Sequence, residues 1–259
     1  MKGEAGIRLQ SSGSGSEAIL LDLNHELTVI SVNDEAGRPL PFRRNDDSLA
    51  VTPPQPLSAS GVCTIQVSYQ GSFHERVPEL DLLNAWIGTP VSHAFSSSHW
   101  YPQMSGSVRH CRGRIAYLVP KDWVVASVGR LATTEVLPGA KRYVFTIDSP
   151  TGFSFAAAAF AYQSQKIDGQ EVGVFLLNCR REKINFYFEN CVKIVRFFKA
   201  YYGFSPYEGY SLIELPVDLL GKAGGGSYDG LTFYPPATLP ENFFFTPVFG
   251  HEIGHCWWG

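Results

Sequence analysis

The sequence predicts a mainly β protein: an N-terminal antiparallel β-sandwich over residues 1–165, then a mixed α+β portion over residues 166–259. Three observations carry that expectation. Short β-branched and aromatic runs separated by turn signals fill the first 165 residues. The one long helical period begins only after Tyr162. Glycine (25), proline (17) and aromatics (14%) are all frequent, a composition suited to strands and tight turns. With 259 residues, the chain can bury a substantial core.

The elements follow in order. Ala18–Leu23 and Leu27–Val32 read as strands on either side of an Asn24-His25-Glu26 turn. Val62–Tyr69 alternates, with Cys63, Ile65, Val67 and Tyr69 on one face and Val62, Thr64, Gln66 and Ser68 on the other. Ile115–Val119, Val124–Val128, Arg142–Ile147 and Phe153–Phe155 continue the strand series, punctuated by Pro53-Pro54, Pro120, Pro138-Gly139 and Pro150. The small Ser/Gly patch from Ser11 to Ser16 reads as a loop.

Gln163–Gly169 reads as a hinge or turn where the composition changes, and Val172–Leu177 as a strand. Ile184, Phe188, Cys191, Val195 and Phe198 then recur at helical spacing, with Lys193, Arg196 and Lys199 between them. Gly203 suits the residue just past that helix, where a left-handed backbone is needed. Tyr210–Leu215 reads as a strand, Gly221–Ser227 as a loop, and Gly230–Tyr234 as an edge-like strand before Pro235-Pro236.

A net charge of −3 argues against nucleic acid or an anionic membrane as the main partner. No apolar run approaches the roughly 20 residues of a membrane span. The N-terminus carries no visible signal peptide, which favours a soluble, cytoplasmic protein over a secreted one. Cys63, Cys111, Cys179, Cys191 and Cys256 are odd in number and scattered, so they read as reduced thiols rather than a disulfide framework.

The stretch from Thr246 to Gly259 names a chemistry. Thr246 can cap a helix and Pro247 suits its first position. His251 and His255 stand one helical turn apart with Glu252 beside them, the H-E-x-x-H pattern of zinc hydrolases. In that pattern two imidazoles hold Zn2+, and the carboxylate takes a proton from the attacking water. Phe249, Ile253 and Trp257 fall on the opposite face, so the helix should bury its back and present the histidines to a cleft.

His251-Glu-Ile-Gly-His-Cys-Trp-Trp-Gly259 resembles the signature of the M1 (gluzincin) zinc aminopeptidases. Gly224-Gly-Gly-Ser-Tyr-Asp-Gly-Leu-Thr-Phe233 lies where that family carries its G-x-M-E-N substrate motif and a following strand. The order of the long helix, Leu212–Pro216 and these motifs is similar too. The resemblance implies a thermolysin-like catalytic domain, incomplete here, behind the sandwich, and a peptide substrate. It implies that His251 and His255 are zinc ligands, that Glu252 is the general base, and that Gly224, Gly225, Gly226 and Ser227 bind substrate. The chain departs from the family at two points. Ser227 stands where the family has a glutamate that anchors the substrate ammonium; Asp229 and Glu241 are nearby carboxylates. The family's third zinc ligand, a later glutamate, and its later tyrosine both fall beyond Gly259. On this reading the chain is the N-terminal portion of a zinc metallopeptidase, inactive by itself. The alternative is a non-catalytic module that holds a peptide on the Gly224–Gly226 edge.

Other motifs are weaker. Gly221–Ser227 has P-loop ingredients in the wrong order. Ser96, Ser97 and Ser98 beside His99 lack a nucleophile elbow and read as a polar loop. His25-Glu26 and His74-Glu75 lack a second histidine four residues on, and His93, His99 and His110 read as ordinary surface or core groups. Cys256 reads as a buried thiol.

Overall fold

The structure is a computed structural model that describes residues 1–11, 13, 17–79, 81–106, 111–177, 181–223, 225–235 and 245–258. Gly224, His110, Cys179, Glu241, Gly259, most of the Ser11–Ser16 patch and the side chains of Thr246, Pro247 and Phe249 lie outside the described residues. The chain forms two compact units, Met1–Phe73 with Ser97–Arg109, and His74–Ser96 with His110–Gly259. The change of composition at Tyr162 falls inside the second unit, where a new sheet begins.

The first unit is built from antiparallel sheets. Val62–Gln70 lies between Lys2–Gln10 and Thr28–Asp34. Ile19–Asp22 lies between Gln103–Met104 and Ser48–Val51, with Phe42–Asn45 outside the latter. The alternation expected for Val62–Tyr69 holds: Ile65, Val67 and Tyr69 are buried, as are Leu21, Leu49 and Val51 of the other sheet. The Asn24-His25-Glu26 turn does not join a hairpin; its flanking strands belong to different sheets.

In the second unit, Val124–Ser127, Phe155–Ala158, Val91–Ala94 and Ala85–Trp86 make a four-stranded antiparallel sheet. Cys111–Pro120, Ala140–Thr151 and Arg130–Leu137 make a three-stranded arm. A five-stranded mixed sheet runs in the order Ala161–Ile167, Gln170–Leu176, Gly209–Glu214, Leu231–Tyr234, Gly226–Tyr228. Its three central strands are parallel, joined first by helix α1 (Arg181–Tyr202). The next connection contains a short helix α2 (Val217–Leu220), and helix α3 (Phe245–Gly254) follows the last strand.

Both faces of this sheet are buried, which is why Val172–Leu177 and Tyr210–Leu215 read as continuous apolar runs rather than alternating ones. On one face Val172, Val174, Leu176, Tyr210, Leu212 and Tyr234 pack against Ile184, Tyr187, Phe188, Cys191 and Val195 of α1 and Ile253 of α3. On the other, Phe175, Ile213, Leu231 and Phe233 join Val91, Phe95, Ala126 and Ala156 of the four-stranded sheet. Gly203 takes the left-handed φ of 77° expected after α1.

Two expectations are corrected, for one physical reason. Of the hinge or turn expected at Gln163–Gly169, the turn holds at Asp168-Gly169, with φ of 51° and 87°, but Ala161–Ile167 is a strand that turns back there and not a hinge. Gly230–Tyr234 is not the edge either. Asp229-Gly230, with φ of 55° and 86°, folds Gly226–Tyr228 back outside it, so part of the expected loop is the true edge strand. Asp-Gly with positive φ at both positions is the two-residue turn that matches strand twist, and it marks both hairpins. Helix α3 begins at Phe245, so Thr246 lies in its first turn rather than before it. Among the described residues, no helix is long and apolar enough to cross a membrane.

Candidate metal centre

Helix α3 places the H-E-x-x-H residues as their spacing requires. Ile253 is fully buried behind the helix and Cys256 nearly so, while His251 is exposed and Glu252 and His255 are half-buried. The two Nε2 atoms lie 3.1 Å apart, and the rings meet edge-on at 82°. A Glu252 carboxylate oxygen lies within 4.8 Å of a ring nitrogen of each histidine.

The end of the helix is fixed from two sides. Its last turn tightens, with Cys256 N–H on Ile253 O at 3.0 Å and Trp257 N–H on Gly254 O at 2.8 Å. The Glu252 carbonyl is instead taken by the Ser227 hydroxyl at 2.6 Å, and Thr232 Oγ1 donates to Ser227 Oγ at 2.7 Å. Beyond the helix, Trp257 Nε1 donates to Phe204 O at 2.9 Å, and Trp257 and Trp258 pack on Phe198 and Tyr202. The histidines are therefore carried on a helix end tied to α1 and to the edge strand.

That strand borders the site. Gly226–Tyr228 pairs on one side with Leu231–Tyr234, and among the described residues nothing pairs with its outer side. Gly225 leads into it at φ 142°; a Cβ there would lie 3.1 Å from Phe233 O and 3.3 Å from the Tyr234 ring, so a side chain would be both strained by the positive φ and crowded. Burial, and secondarily the Glu252 charge, push the Tyr234 and Tyr228 hydroxyls up, which keeps both phenols neutral beside the site.

Do these donors fit zinc? With bonds of about 2.0–2.1 Å to zinc, nitrogens 3.1 Å apart subtend roughly 95–102° at the metal, near the tetrahedral value. Imidazole nitrogens beside a carboxylate suit that ion. The pair fits, although it supplies two of the three protein ligands usual for catalytic zinc.

Compared by sequence, the chain matches no protein-family description and no curated protein. Compared by structure, it matches an M1 zinc metallopeptidase from Deinococcus radiodurans with a TM-score of 0.77 at 19% identity. The same enzyme bound to a Tyr-Ser-Ala substrate matches equally, at 0.77 and 19%. A two-domain M1 zinc metallopeptidase bound to L-arginine matches at 0.76 and 18%. The chain has the M1 zinc metallopeptidase fold. Each match covers 100% of this chain and 60% of the solved one, so the chain spans about 60% of their length.

Within this M1 fold, the structure brings His251, Glu252, His255, Gly225, Gly226 and Ser227 into one region around α3 and the edge strand. The Ser227 hydroxyl is engaged with Glu252 O and Thr232 rather than with open space. Thr232, fully buried, escaped the sequence reading because a threonine in a strand carries no functional signature. Asp229 spends its carboxylate on Ser154 and Thr151. His93 is fully buried, its Nε2–H on Leu83 O at 2.8 Å and its Nδ1 without a partner, and burial lowers its pKa to about 4. A second group of donors, His25, Asp46 and Asp47, lies on exposed turns of the first unit. There Asp47 accepts from the His25 ring at 3.0 Å, and Arg44 already faces both aspartates with its positive charge. Ser96–Ser98 forms a short 3-10 turn with Ser98 buried, a structural role.

Proposed function

We propose that this chain is the N-terminal portion of a zinc-dependent peptidase, with His251 and His255 as metal ligands and Glu252 as general base. One observation carries the reading: two Nε2 atoms 3.1 Å apart on one helix turn, with a Glu252 carboxylate oxygen within 4.8 Å of a ring nitrogen of each histidine. The M1 fold supports it. In domain terms, residues 1–165 supply the β-rich N-terminal domain and residues 166–259 the first part of a thermolysin-like catalytic domain.

Bound zinc supplies Lewis acidity, which lowers the pKa of a water and polarises a carbonyl. The chain's own residues do the rest. His251 and His255 each offer an Nε2 lone pair. The Glu252 carboxylate accepts the proton of the attacking water and returns it to the leaving amine. Gly225 and Gly226 offer backbone without side chains at the open edge, where an extended peptide adds as a further strand, and Gly224 is proposed to bind substrate with them. Ser227 brings no charge to the substrate, so a free ammonium finds no carboxylate at that position. Aminopeptidase specificity is correspondingly weak in this proposal.

A second reading, a peptide-holding module without catalysis, rests on the outer side of Gly226–Tyr228, which nothing pairs with among the described residues. Both readings expect the chain alone to hold zinc loosely. Equilibrium dialysis followed by metal analysis tests this: weak uptake that disappears in His251→Ala supports the His pair, and tight stoichiometric zinc in His251→Ala rejects it. Peptide hydrolysis by the parent protein, lost in Glu252→Gln with metal uptake retained, separates the enzyme from the module.

A further inference from the structure

The edge strand Gly226–Tyr228 is three residues long and paired on one side only, so the ladder alone fixes it poorly. Its inner neighbour is better held: Gly230 O accepts from Ser211 N–H at 3.1 Å, and Leu231–Tyr234 pairs along its length with Gly209–Glu214. Contacts outside the ladder add to its placement, among them the Tyr228 ring stacked on Phe95 at 4.0 Å between centroids. At the middle of the strand the Ser227 hydroxyl holds Glu252 O. The strand ends at the hairpin tip, where Asp229 sits in the left-handed region with its side chain turned toward the end of the arm.

There Ser154, fully buried, donates from Oγ to Asp229 Oδ2 at 2.6 Å, and buried Thr151 donates from Oγ1 to Oδ1 at 3.3 Å. Ser154 Oγ in turn accepts from Ser96 N–H at 2.9 Å, so the carboxylate closes a chain of donors that runs into the four-stranded sheet. Gly152 makes the approach possible: a Cβ there would lie 2.6 Å from Ser96 Oγ and 2.9 Å from Asp229 Oδ1. A carboxylate drawn into a pocket of buried hydroxyls is a directional, charge-assisted anchor.

We propose that Asp229 is a positioning residue for the peptide-binding edge. By locking the hairpin tip to Thr151 and Ser154, it sets where Gly226–Tyr228 runs relative to the His251–His255 face. This rests on the peptide-edge reading given above. The role is one of placement: Asp229 touches neither the histidines nor the incoming strand.

The test uses the whole chain, the tripeptide Tyr-Ser-Ala as probe, and three readouts: peptide affinity, zinc uptake, and hydrogen exchange at residues 226–228. Asp229→Ala is expected to weaken peptide binding about tenfold or more and to speed exchange of the paired edge amides by a similar factor. Zinc uptake should stay within about twofold. Asp229→Asn keeps an oxygen for the Ser154 hydroxyl and should recover binding to within about threefold of the parent. Gly152→Ala, which crowds the carboxylate from behind, should act in the same direction as Asp229→Ala. Unchanged peptide affinity and unchanged edge exchange in Asp229→Ala would overturn the proposal while the peptide reading stands. So would a parallel loss of zinc uptake and of protection throughout the second unit, which would make Asp229 a general structural residue. A parent chain that binds no peptide defeats the peptide-edge reading itself, and the positioning role with it.

Discussion

The five-stranded sheet and the arm share a unit, yet they solve burial in opposite ways. The sheet is covered on both faces, by α1 and α3 on one and by the four-stranded sheet on the other. In the arm only the middle strand is well buried, through Tyr143, Val144, Phe145 and Ile147; Arg130–Leu137 is exposed almost throughout. The difference teaches where rigidity is concentrated. The candidate site lies on the doubly covered sheet, with its back in the core and its histidines at the surface. That is the arrangement expected when a loosely held ligand face must keep its geometry.

The sharpest way to break this comparison is a matched pair of truncations. Phe233→Ala, at a fully buried position between the two sheets, should cost about 3–5 kcal/mol. Val136→Ala, 65% exposed on the arm, should cost less than about 0.5 kcal/mol. Urea melts of both variants measure the contrast, and similar costs would remove the distinction.

Acid provides the next largest effect. His93, in the four-stranded sheet that covers the core, has its pKa lowered from 6.5 to about 4. The unfolded chain thus takes up a proton at pH values where the folded one does not. Stability should be full above about pH 6.5 and fall by roughly 3 kcal/mol as the pH drops toward 4. His93→Gln should flatten that part of the pH profile in thermal melts; an unaltered profile would assign the acid sensitivity elsewhere.

Gly203→Ala tests the end of α1 over the sheet. With φ at 77° and open space where a Cβ would point, the cost is backbone strain alone, about 1 kcal/mol by chemical denaturation. The smallest stability effect belongs to the site itself. His251→Ala, on the exposed face, should shift stability by less than about 0.5 kcal/mol while abolishing zinc uptake. A large loss of stability would mean that the histidine is part of the core's support.

Much of this was legible in the sequence, for definite reasons. The Ile184–Phe198 period, the alternation of Val62–Tyr69 and the H-E-x-x-H spacing are local patterns, and each maps onto one face of one element. Gly203 was legible because few residues other than glycine suit its backbone. What escaped was what local periodicity does not encode. Parallel pairing of Gln170–Leu176, Gly209–Glu214 and Leu231–Tyr234 leaves only apolar runs, with no sign of order or direction. Asp168-Gly169 falls at the end of the expected hinge or turn and Asp229-Gly230 where the expected inner strand begins, so the sequence reading puts the edge one strand too far inward. At the site, the positions of His251, Glu252 and His255 relative to one another followed from helix geometry alone. The Ser227–Glu252 and Asp229–Ser154 contacts join residues 25 and 75 positions apart, and no spacing rule reaches them.

Those two Asp-Gly turns also bear on the order in which the molecule assembles. Each closes a hairpin between neighbours in sequence, at opposite edges of the sheet, on the microsecond scale of such local events. The parallel centre must wait for a 22-residue helix to fold and cross over. In this sequence of events the Gly226–Tyr228 edge forms as a hairpin early, and α3 docks onto it late, when Ser227 meets Glu252. The candidate centre would thus be among the last parts of the chain to acquire its shape.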